Sequence, residues 1–302
     1  MERQVYISGA MVPESEAKIS IFDSAVMLGD TVTESTRTFG HRPFKLGAHI
    51  DRLYKSLKLT RIDPCCDRDT MMDISETVLA ANLPLYGTDQ DCWLVHNISR
   101  GLSVAGADPT VTAGEATVMI FTQPMDLRSW AAFYTDGCHA VTAMSRVVPS
   151  QSLDARIKNR SRLPYTLAET EVKLVDKQAQ GVILDIHGNV AENKGGNIFC
   201  VSDGVLKTPT TANCLAGISR ETTLELATSL GIPTRETVLQ PYDLATADEV
   251  FFTSTPYCIM PATGFNGLDI GDGTVGPMTQ ALLAAWSDLV GIDIVKQAQD
   301  QL

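Results

Sequence analysis

The stretch that decides the fold reads Asp154-Ala-Arg-Ile-Lys158-Asn-Arg-Ser-Arg-Leu-Pro-Tyr165. After a helical run it continues Gly181-Val-Ile-Leu-Asp-Ile-His-Gly-Asn-Val-Ala-Glu192-Asn-Lys-Gly-Gly-Asn197-Ile-Phe199. Lys158 therefore precedes a predicted helix, and Glu192 lies 34 residues after this lysine. An amine that forms a Schiff base works with a group that stabilises positive charge. The stretch could supply both.

Regular elements flank these two side chains. A helical pattern covers residues 162–180, and Gly181 is its predicted stop. Residues 182–186 and 190–192 predict two strands joined by the turn at 187–189. Earlier in the chain, β-branched residues between Gly29 and Gly40 predict a strand, and apolar spacing predicts a helix over 47–62. Arg52 lies in that helix, where an exposed helix charge is its simplest interpretation.

Composition limits the possible functions. The chain has 302 residues, is 44% hydrophobic, and carries a formal net charge of −12 from 24 basic and 36 acidic residues. The length predicts two domains. An acidic chain lacks the basic face that neutralises nucleic-acid phosphates, so we expect no nucleic-acid partner.

The cysteines and the chain start indicate a compartment. The seven cysteines are irregularly spaced and include no CxxC pair, so we expect neither a metal site nor a disulfide framework. A reducing cytoplasm fits best. The first residues lack the apolar segment of a signal peptide, and no run of about 18 apolar residues predicts a membrane span.

Two loops are candidate phosphate sites. In Leu215-Ala-Gly-Ile-Ser-Arg220, Ser219 is the predicted N-cap of a following helix, whose free N–H groups and dipole attract anions. Thr253-Ser-Thr-Pro256 ends a buried strand, and its hydroxyl groups either bind an anion or cap the chain. Taken alone, both loops are equally typical of ordinary connections.

Together, these segments and a few others resemble the class IV aminotransferases, the fold-type IV family of pyridoxal 5′-phosphate enzymes. The resemblance covers nearly the whole chain. The matching segments are His49-Ile-Asp-Arg52-Leu53, Ile157-Lys158, Glu192, Asn197-Ile-Phe199, Leu215-Ala-Gly-Ile-Ser-Arg220, Thr255, Gly271-Asp-Gly273 and Gly276-Pro-Met-Thr279.

The resemblance implies roles. Lys158 would carry the cofactor as a Schiff base and move protons, and Glu192 would keep the ring nitrogen protonated. Arg52 and the two loops would hold the phosphate. The implied cofactor-binding residues are Arg52, Lys158, Glu192, Asn197, Gly217, Ile218, Ser219, Ser254 and Thr255. Tyr165 reaches the cofactor's phenolic oxygen or only packs, and Lys194 is a rival lysine best interpreted as a solvated loop residue.

Substrate residues match no single subfamily. Thr33 stands where branched-chain transaminases usually have an aromatic residue. Arg100, in Ser99-Arg-Gly101, resembles D-amino-acid and (R)-amine transaminases and binds a substrate carboxylate or is only a surface charge. Pro256 has no N–H where branched-chain enzymes donate one to the substrate carboxylate.

The resemblance therefore implies an α/β (α+β) two-domain fold. We expect a smaller N-terminal α/β domain at residues 1–122, a connector at 123–133 and a larger C-terminal pseudo-barrel domain at 134–302. The expected activity is transamination between a hydrophobic amino acid, branched-chain or D-type, and a 2-oxo acid. The alternatives are an (R)-amine transaminase, an aminodeoxychorismate lyase, and a cofactor-binding protein without turnover. The family also implies a homodimer.

Overall fold

The chain divides into two compact units. A computed structural model describes residues 2–103 and 115–302. One unit is Met1–Met125 with Ile157–Ser161, and the other is Asp126–Arg156 with Arg162–Leu302. The domain limits predicted from the sequence stay a prediction. The units differ from them in the short segment around Lys158, which groups with the first unit because its backbone pairs with the strand at residues 31–33.

The first unit is built on an antiparallel sheet. Within the described residues the sheet has six strands in the order β2-β1-β6-β5-β3-β4. The strands are β1 (Gln4–Ile7), β2 (Ala10–Pro13), β3 (Thr31–Phe39), β4 (Arg42–Pro43), β5 (Cys92–Ser99) and β6 (Thr117–Pro124). The helices are α1 (Ser24–Met27), α2 (Leu46–Thr60) and α3 (Arg68–Asn82), with 3₁₀ turns at Glu14–Glu16 and Leu83–Leu85.

The amphipathic helices α2 and α3 form the core of this unit with one face of the sheet. Leu46, Ile50, Leu53 and Leu57 recur at helical spacing on α2 and are buried. They join Val32 of β3 in one apolar cluster. Because side chains alternate along a strand, the other face of β3 carries Thr31, Thr33, Ser35 and Arg37. The sheet thus separates an apolar, helix-covered face from a more polar one.

The second unit holds a mixed sheet. Its strands are β7 (Cys138–Arg146), β8 (Gln180–Leu184), β9 (Val190–Glu192), β10 (Asn197–Ser202), β11 (Val205–Pro209), β12 (Thr234–Thr237), β13 (Glu249–Ser254), β14 (Cys258–Phe265) and β15 (Leu268–Asp269). Its helices are α4 (Arg128–Ala131), α5 (Phe133–Asp136), α6 (Leu163–Val175), α7 (Ile218–Ser229), α8 (Pro241–Ala245), α9 (Pro277–Val290) and α10 (Ile294–Gln299). The order is β12-β11-β10-β13-β14-β7-β8-β9, and β15 pairs with β14.

A buried carboxylate explains the Gly-Pro-Met-Thr segment. Glu249 accepts hydrogen bonds from Met278 N (2.9 Å), Thr279 N (2.7 Å) and Thr279 Oγ1 (2.6 Å), which caps the N-terminus of α9. A Cβ on Gly276 would collide with the Glu249 side chain. This matching segment therefore has a structural reason within the second unit.

Two predicted helix ends are wrong. The helix after Lys158 ends at Val175 rather than near Gly181, because residues 180–184 form β8 beside β7. The N-cap of α7 is Gly217, and Ser219 lies inside the first turn. Gly217 has room only for a hydrogen, since a Cβ there would meet Asn197 Oδ1.

The seven cysteines are free thiols. Over residues 2–103 and 115–302, the helices are all too short or too polar to cross a bilayer.

Candidate active site

Glu34 is the centre of a buried ionic network in the first unit. Its side chain projects from β3 towards α2 and is fully buried, with 0% exposure. Arg52 donates from Nε to Glu34 Oε2 (2.8 Å) and from Nη2 to Glu34 Oε1 (2.6 Å), and His49 Nδ1 lies 2.9 Å from Oε1. The two bonds from Arg52 make a bidentate pair. Glu34 therefore fixes the direction of the guanidinium of Arg52.

Burial and charge decide the ionisation of this network. Burial opposes the charge on Glu34, yet Arg52 and His49 prevail and hold the pKa of Glu34 well below its usual range. Burial lowers the pKa of His49, and the positive charges of Arg52 and Lys158 act in the same direction against Glu34. At neutral pH the network is an ionised carboxylate, an arginine and a neutral histidine.

Lys158 lies in an extended segment beside β3. Thr33 N donates to Lys158 O (2.9 Å), and Val32 and Asn159 form an antiparallel bridge. Lys158 N donates to the Ser56 hydroxyl (3.2 Å), one helical turn beyond Arg52 on α2. Backbone contacts on both sides therefore hold the predicted reactive lysine against β3 and α2.

Two of the predicted substrate residues also belong to the first unit. The Thr33 hydroxyl lies 2.8 Å from Asn97 Oδ1 and 2.9 Å from His96 O, so its proton bonds within the sheet. Arg100 donates to Asp30 Oδ2 (2.6 Å), Thr60 O (3.0 Å) and Arg61 O (3.1 Å). The guanidinium of Arg100 thus connects Asp30 to the C-terminal end of α2, and its predicted role in carboxylate binding stays a prediction.

Glu192, in the second unit, is a buried carboxylate with two defined donors. It is 6% exposed at the end of β9. Tyr165 donates its hydroxyl to Glu192 Oε1 (2.6 Å), and Leu215 N donates to Glu192 Oε2 (2.9 Å). Burial and the charge of Glu192 raise the pKa of Tyr165, so the phenol stays protonated. The Tyr165 hydroxyl is hydrogen-bonded to Glu192, the carboxylate predicted to face the ring nitrogen. This contact gives no support to the other predicted role of Tyr165, at the phenolic oxygen of the cofactor.

The start of α7 has the form of an anion site. Gly217 has no side chain with which to cap the first-turn N–H groups, and Ile218 and Ser219 supply the next two. Asn197 Nδ2 donates to Leu215 O (2.8 Å), which anchors the loop that leads into the helix. The predicted residues Asn197, Gly217, Ile218 and Ser219 are therefore neighbours.

The second predicted phosphate loop is the turn between β13 and β14. Ser254 donates its hydroxyl to Gly195 O. Thr255 is partly exposed in the turn. The backbone turns sharply at Cys258, whose φ is 58°. Lys194, the rival lysine, forms an ion pair with Glu169 on α6.

Three partners of the site were missed in the sequence. Glu34 is the clearest, because a charged residue inside a β-branched strand signals a buried partner. The other two are Asn97 and Arg160, which form a hydrogen bond: Arg160 Nε donates to Asn97 Oδ1 (2.8 Å). No sequence signal identifies that pair, because strand register brings its members together.

Comparison with known proteins identifies the family. The family model for amino-transferase class IV matches residues 31–265. The chain is a class IV aminotransferase. It is 34% identical over 288 residues to a Methanocaldococcus jannaschii protein named "Putative branched-chain-amino-acid aminotransferase", covering 95% of this chain and 96% of the relative.

Solved structures of this aminotransferase family share the fold. The Escherichia coli branched-chain amino acid aminotransferase superposes with a TM-score of 0.85 at 28% identity, over 96% of this chain and 95% of that chain. A T.th. branched-chain amino acid aminotransferase, complexed with N-(5′-phosphopyridoxyl)-L-glutamate, gives 0.86 at 26% identity with the same coverage. The predicted family, fold-type IV α/β architecture and enzyme class are confirmed. Class IV aminotransferases use pyridoxal 5′-phosphate, so the predicted cofactor is confirmed as well.

Proposed function

We propose that this class IV aminotransferase exchanges an amino group between a hydrophobic amino acid, of the branched-chain type, and a 2-oxo acid. The support for the substrate class is the similarity to proteins named branched-chain aminotransferases over nearly the whole chain. One observation carries the chemistry: Glu192 is a buried carboxylate whose two oxygens accept hydrogen bonds from Tyr165 and from a backbone N–H. Such donors stabilise the ionised form that a pyridinium nitrogen needs beside it.

The residues present fit pyridoxal 5′-phosphate. An amine, a buried carboxylate, an arginine and a helix start with an uncapped glycine match an aldehyde, a ring nitrogen and a phosphate. When bound, the cofactor supplies an electron-withdrawing ring. We assign Lys158 as the residue that holds it covalently, and Glu192 as the residue that keeps its ring nitrogen protonated.

Lys158 also moves the proton. Its Nζ would accept the proton that leaves the α-carbon of the amino donor and deliver it to the cofactor, and in the reverse half of the cycle it would return a proton to the carbon of the 2-oxo acid. Backbone bonds from Thr33 and to Ser56 fix the main chain of Lys158, so only its side chain needs to move. Such positioning reduces the entropic part of the barrier.

Phosphate binding is assigned to Arg52 and to the backbone at Ile218 and Ser219, with Asn197 and Gly217 shaping that loop and Ser254 and Thr255 as further candidates. Glu34 and His49 position Arg52. A guanidinium held by a bidentate carboxylate keeps one orientation, and a fixed orientation favours the recognition of an anion such as a phosphate. Glu34 is therefore a positioning residue rather than a catalytic one.

The alternatives from the sequence are less well supported. The D-amino-acid alternative was based on the Gly29-Asp30 pair and on Arg100, and the (R)-amine alternative on Arg100, which here bonds Asp30 and two backbone carbonyls. Pro256 still removes one N–H donor for a substrate carboxylate, so an L-amino acid must find a donor elsewhere. An aminodeoxychorismate lyase would use the same lysine, and it stays an outcome of the assay.

We also propose a homodimer. The support is a run of apolar side chains on the first unit: Ile21, Phe22, Val26, Met27 and Leu28 are 55–70% exposed. So many adjacent exposed apolar residues are typical of protein interfaces. Sedimentation of the wild-type chain and of Phe22→Asp tests this, with a dimer expected for the first and dissociation for the second. A wild-type monomer would overturn it.

Half-reactions test the activity. The purified enzyme is mixed with L-leucine, D-alanine or (R)-phenylethylamine while the cofactor absorbance is followed. We expect L-leucine to convert the band fastest and a 2-oxo acid to restore it. If all three compounds leave the band unmoved, the proposed transamination is wrong, and pyruvate release from aminodeoxychorismate would indicate the lyase.

A further inference from the structure

The polar face of the first unit's sheet continues onto the segment that carries Lys158. Val32 and Asn159 form an antiparallel bridge, and Thr33 N donates to Lys158 O (2.9 Å). Because side chains alternate along paired strands, Lys158 and Arg160 project to the side of Thr33, opposite to the buried Val32. Two residues of extended chain span roughly 7 Å. The arginine and the lysine are therefore neighbours on one face.

Asn97 links Arg160 to β5. It lies opposite Thr33 in the strand register. Its Oδ1 accepts from Arg160 Nε (2.8 Å) and lies 2.8 Å from Thr33 Oγ1. The Arg160 N–H is only a donor, so the contact identifies the oxygen of the amide. The Nδ2 group then points away from both, and over residues 2–103 and 115–302 it makes no hydrogen bond.

We propose that Arg160 and Asn97 bind a carboxylate of the substrate beside Lys158. The inference rests on the proposed function, since it concerns the ligand of the same site. Arg160 is exposed, and its bond to Asn97 orients a planar guanidinium. A guanidinium edge and an amide N–H are donors that suit a carboxylate. On a chain of net charge −12, a local arginine also offsets the repulsion of an anionic substrate.

Two residues of this chain differ from the branched-chain transaminase pattern in ways that favour a carboxylate subsite here. Pro256 lacks the N–H that branched-chain enzymes use for the substrate carboxylate, so the carboxylate needs another donor, and a charged donor such as a guanidinium binds it more strongly than a neutral N–H. Thr33 replaces an aromatic residue and, with Asn97, makes the wall polar. The bound group is either the α-carboxylate, which every amino acid has, or the side-chain carboxylate of an acidic substrate.

Binding of unreactive ligands tests the proposal. Calorimetry measures Kd for 4-methylvalerate, which has one carboxylate, glutarate, which has two, and the uncharged 4-methylpentanol. The proteins are the wild-type holoenzyme, Arg160→Gln, Asn97→Asp and the control Arg156→Gln. Arg156 lies two residues before Lys158, as Arg160 lies two after it, but pairs with Asp154 in solvent.

We expect wild type to bind the carboxylates at least about tenfold more tightly than the alcohol, and Arg160→Gln to weaken carboxylate binding about 10- to 100-fold. Asn97→Asp should weaken carboxylate binding further through repulsion, and Arg156→Gln should change nothing.

The pattern of loss identifies the bound group. Weaker binding of both carboxylates identifies the α-carboxylate, and weaker binding of glutarate alone identifies a side-chain carboxylate. Unchanged binding in Arg160→Gln, or an equal loss for the alcohol, overturns the proposal. If the binding results hold while no amino donor moves the cofactor band, the subsite survives and the proposed activity fails.

Discussion

Two buried glutamates, one in each unit, accept hydrogen bonds from different kinds of donor. Glu34 accepts hydrogen bonds from the cation Arg52 and from His49. Glu192 accepts its bonds within the second unit from uncharged donors, the Tyr165 hydroxyl and the Leu215 N–H. Both side chains are nearly inaccessible to solvent. The first carboxylate is neutralised by its own unit, whereas these two donors orient the second without cancelling its charge.

The difference separates positioning from chemistry. A carboxylate that is already paired with a guanidinium sets the geometry of that guanidinium. A carboxylate whose oxygens accept hydrogen bonds from neutral donors keeps the negative charge with which, when ionised, it stabilises positive charge on a ligand. We therefore expect changes at Glu34 to affect stability and phosphate binding, and changes at Glu192 to affect the reaction rate.

Lys158→Ala should have the largest effect, because it removes the amine that both proposed roles need. We expect turnover to vanish while the cofactor still binds non-covalently. Borohydride treatment followed by peptide mapping should label Lys158 in wild type and nothing in the variant. Lys194→Ala is the control, since that lysine pairs with Glu169. Full activity in Lys158→Ala would remove the assignment.

Glu34→Gln should destabilise the fold by about 3–5 kcal/mol, because it leaves Arg52 buried beside a neutral amide. Urea unfolding of the enzyme measures the loss. Glu14→Gln, which breaks an exposed pair with Arg3, should cost less than about 1 kcal/mol. Equal effects of the two substitutions would contradict the contrast between a buried and a surface carboxylate.

Glu192→Gln should slow the half-reaction by at least about 100-fold, which corresponds to about 2.7 kcal/mol of barrier. An amide stabilises a protonated ring nitrogen far less than a carboxylate does. The cofactor Kd should change much less than the rate. Stopped-flow absorbance and equilibrium binding measure the two quantities, and a variant with the wild-type rate would refute the role of Glu192.

Tyr165→Phe should have a smaller effect in the same direction. Losing one hydrogen bond to a charged group costs about 1.5–3 kcal/mol, shared between the stability of the unit and the ionisation of Glu192. We expect the pH dependence of the cofactor's absorbance to shift, while the phosphate contribution to binding stays unchanged. A variant with an unaltered spectrum across pH would limit Tyr165 to packing.

The last effect concerns pH, and it is absent at neutral pH. His96 lies opposite Glu34 in the sheet, and burial lowers its pKa to about 4. The folded state therefore keeps His96 neutral, while the unfolded state takes up a proton below about pH 6.5. Stability from this residue is complete above about pH 6.5 and is lost as the pH falls towards about 4. Urea unfolding at about pH 7.5, 5.5 and 4.5 should show a shallower decline for His96→Gln, and identical slopes would exclude the effect.

Much of the site was predictable because its signals are local. Periodicity predicted a helix over 47–62, and α2 covers Leu46–Thr60. The Glu192 hairpin was also visible in the sequence, as β8 and β9. The contacts that the sequence did not reveal depend on distant partners, because Arg100 pairs with Asp30 and Arg160 with Asn97 only through tertiary contacts. Likewise the N-cap of α7 is Gly217 rather than Ser219, because the backbone is extended at Gly217 and helical from Ile218 onwards, and Asn197 leaves no space for a side chain at Gly217.

The most direct test compares the binding of pyridoxal 5′-phosphate with that of pyridoxal, which lacks the phosphate. Both ligands are titrated into wild type, Glu34→Gln and Glu192→Gln at a temperature at which all three are folded. We expect Glu34→Gln to weaken binding of the phosphorylated form at least about tenfold and to leave pyridoxal unchanged, since a misoriented Arg52 loses a charge-assisted bond. Glu192→Gln should affect both ligands by the same smaller factor. Equal weakening of both ligands by Glu34→Gln would contradict the division of roles between the two glutamates.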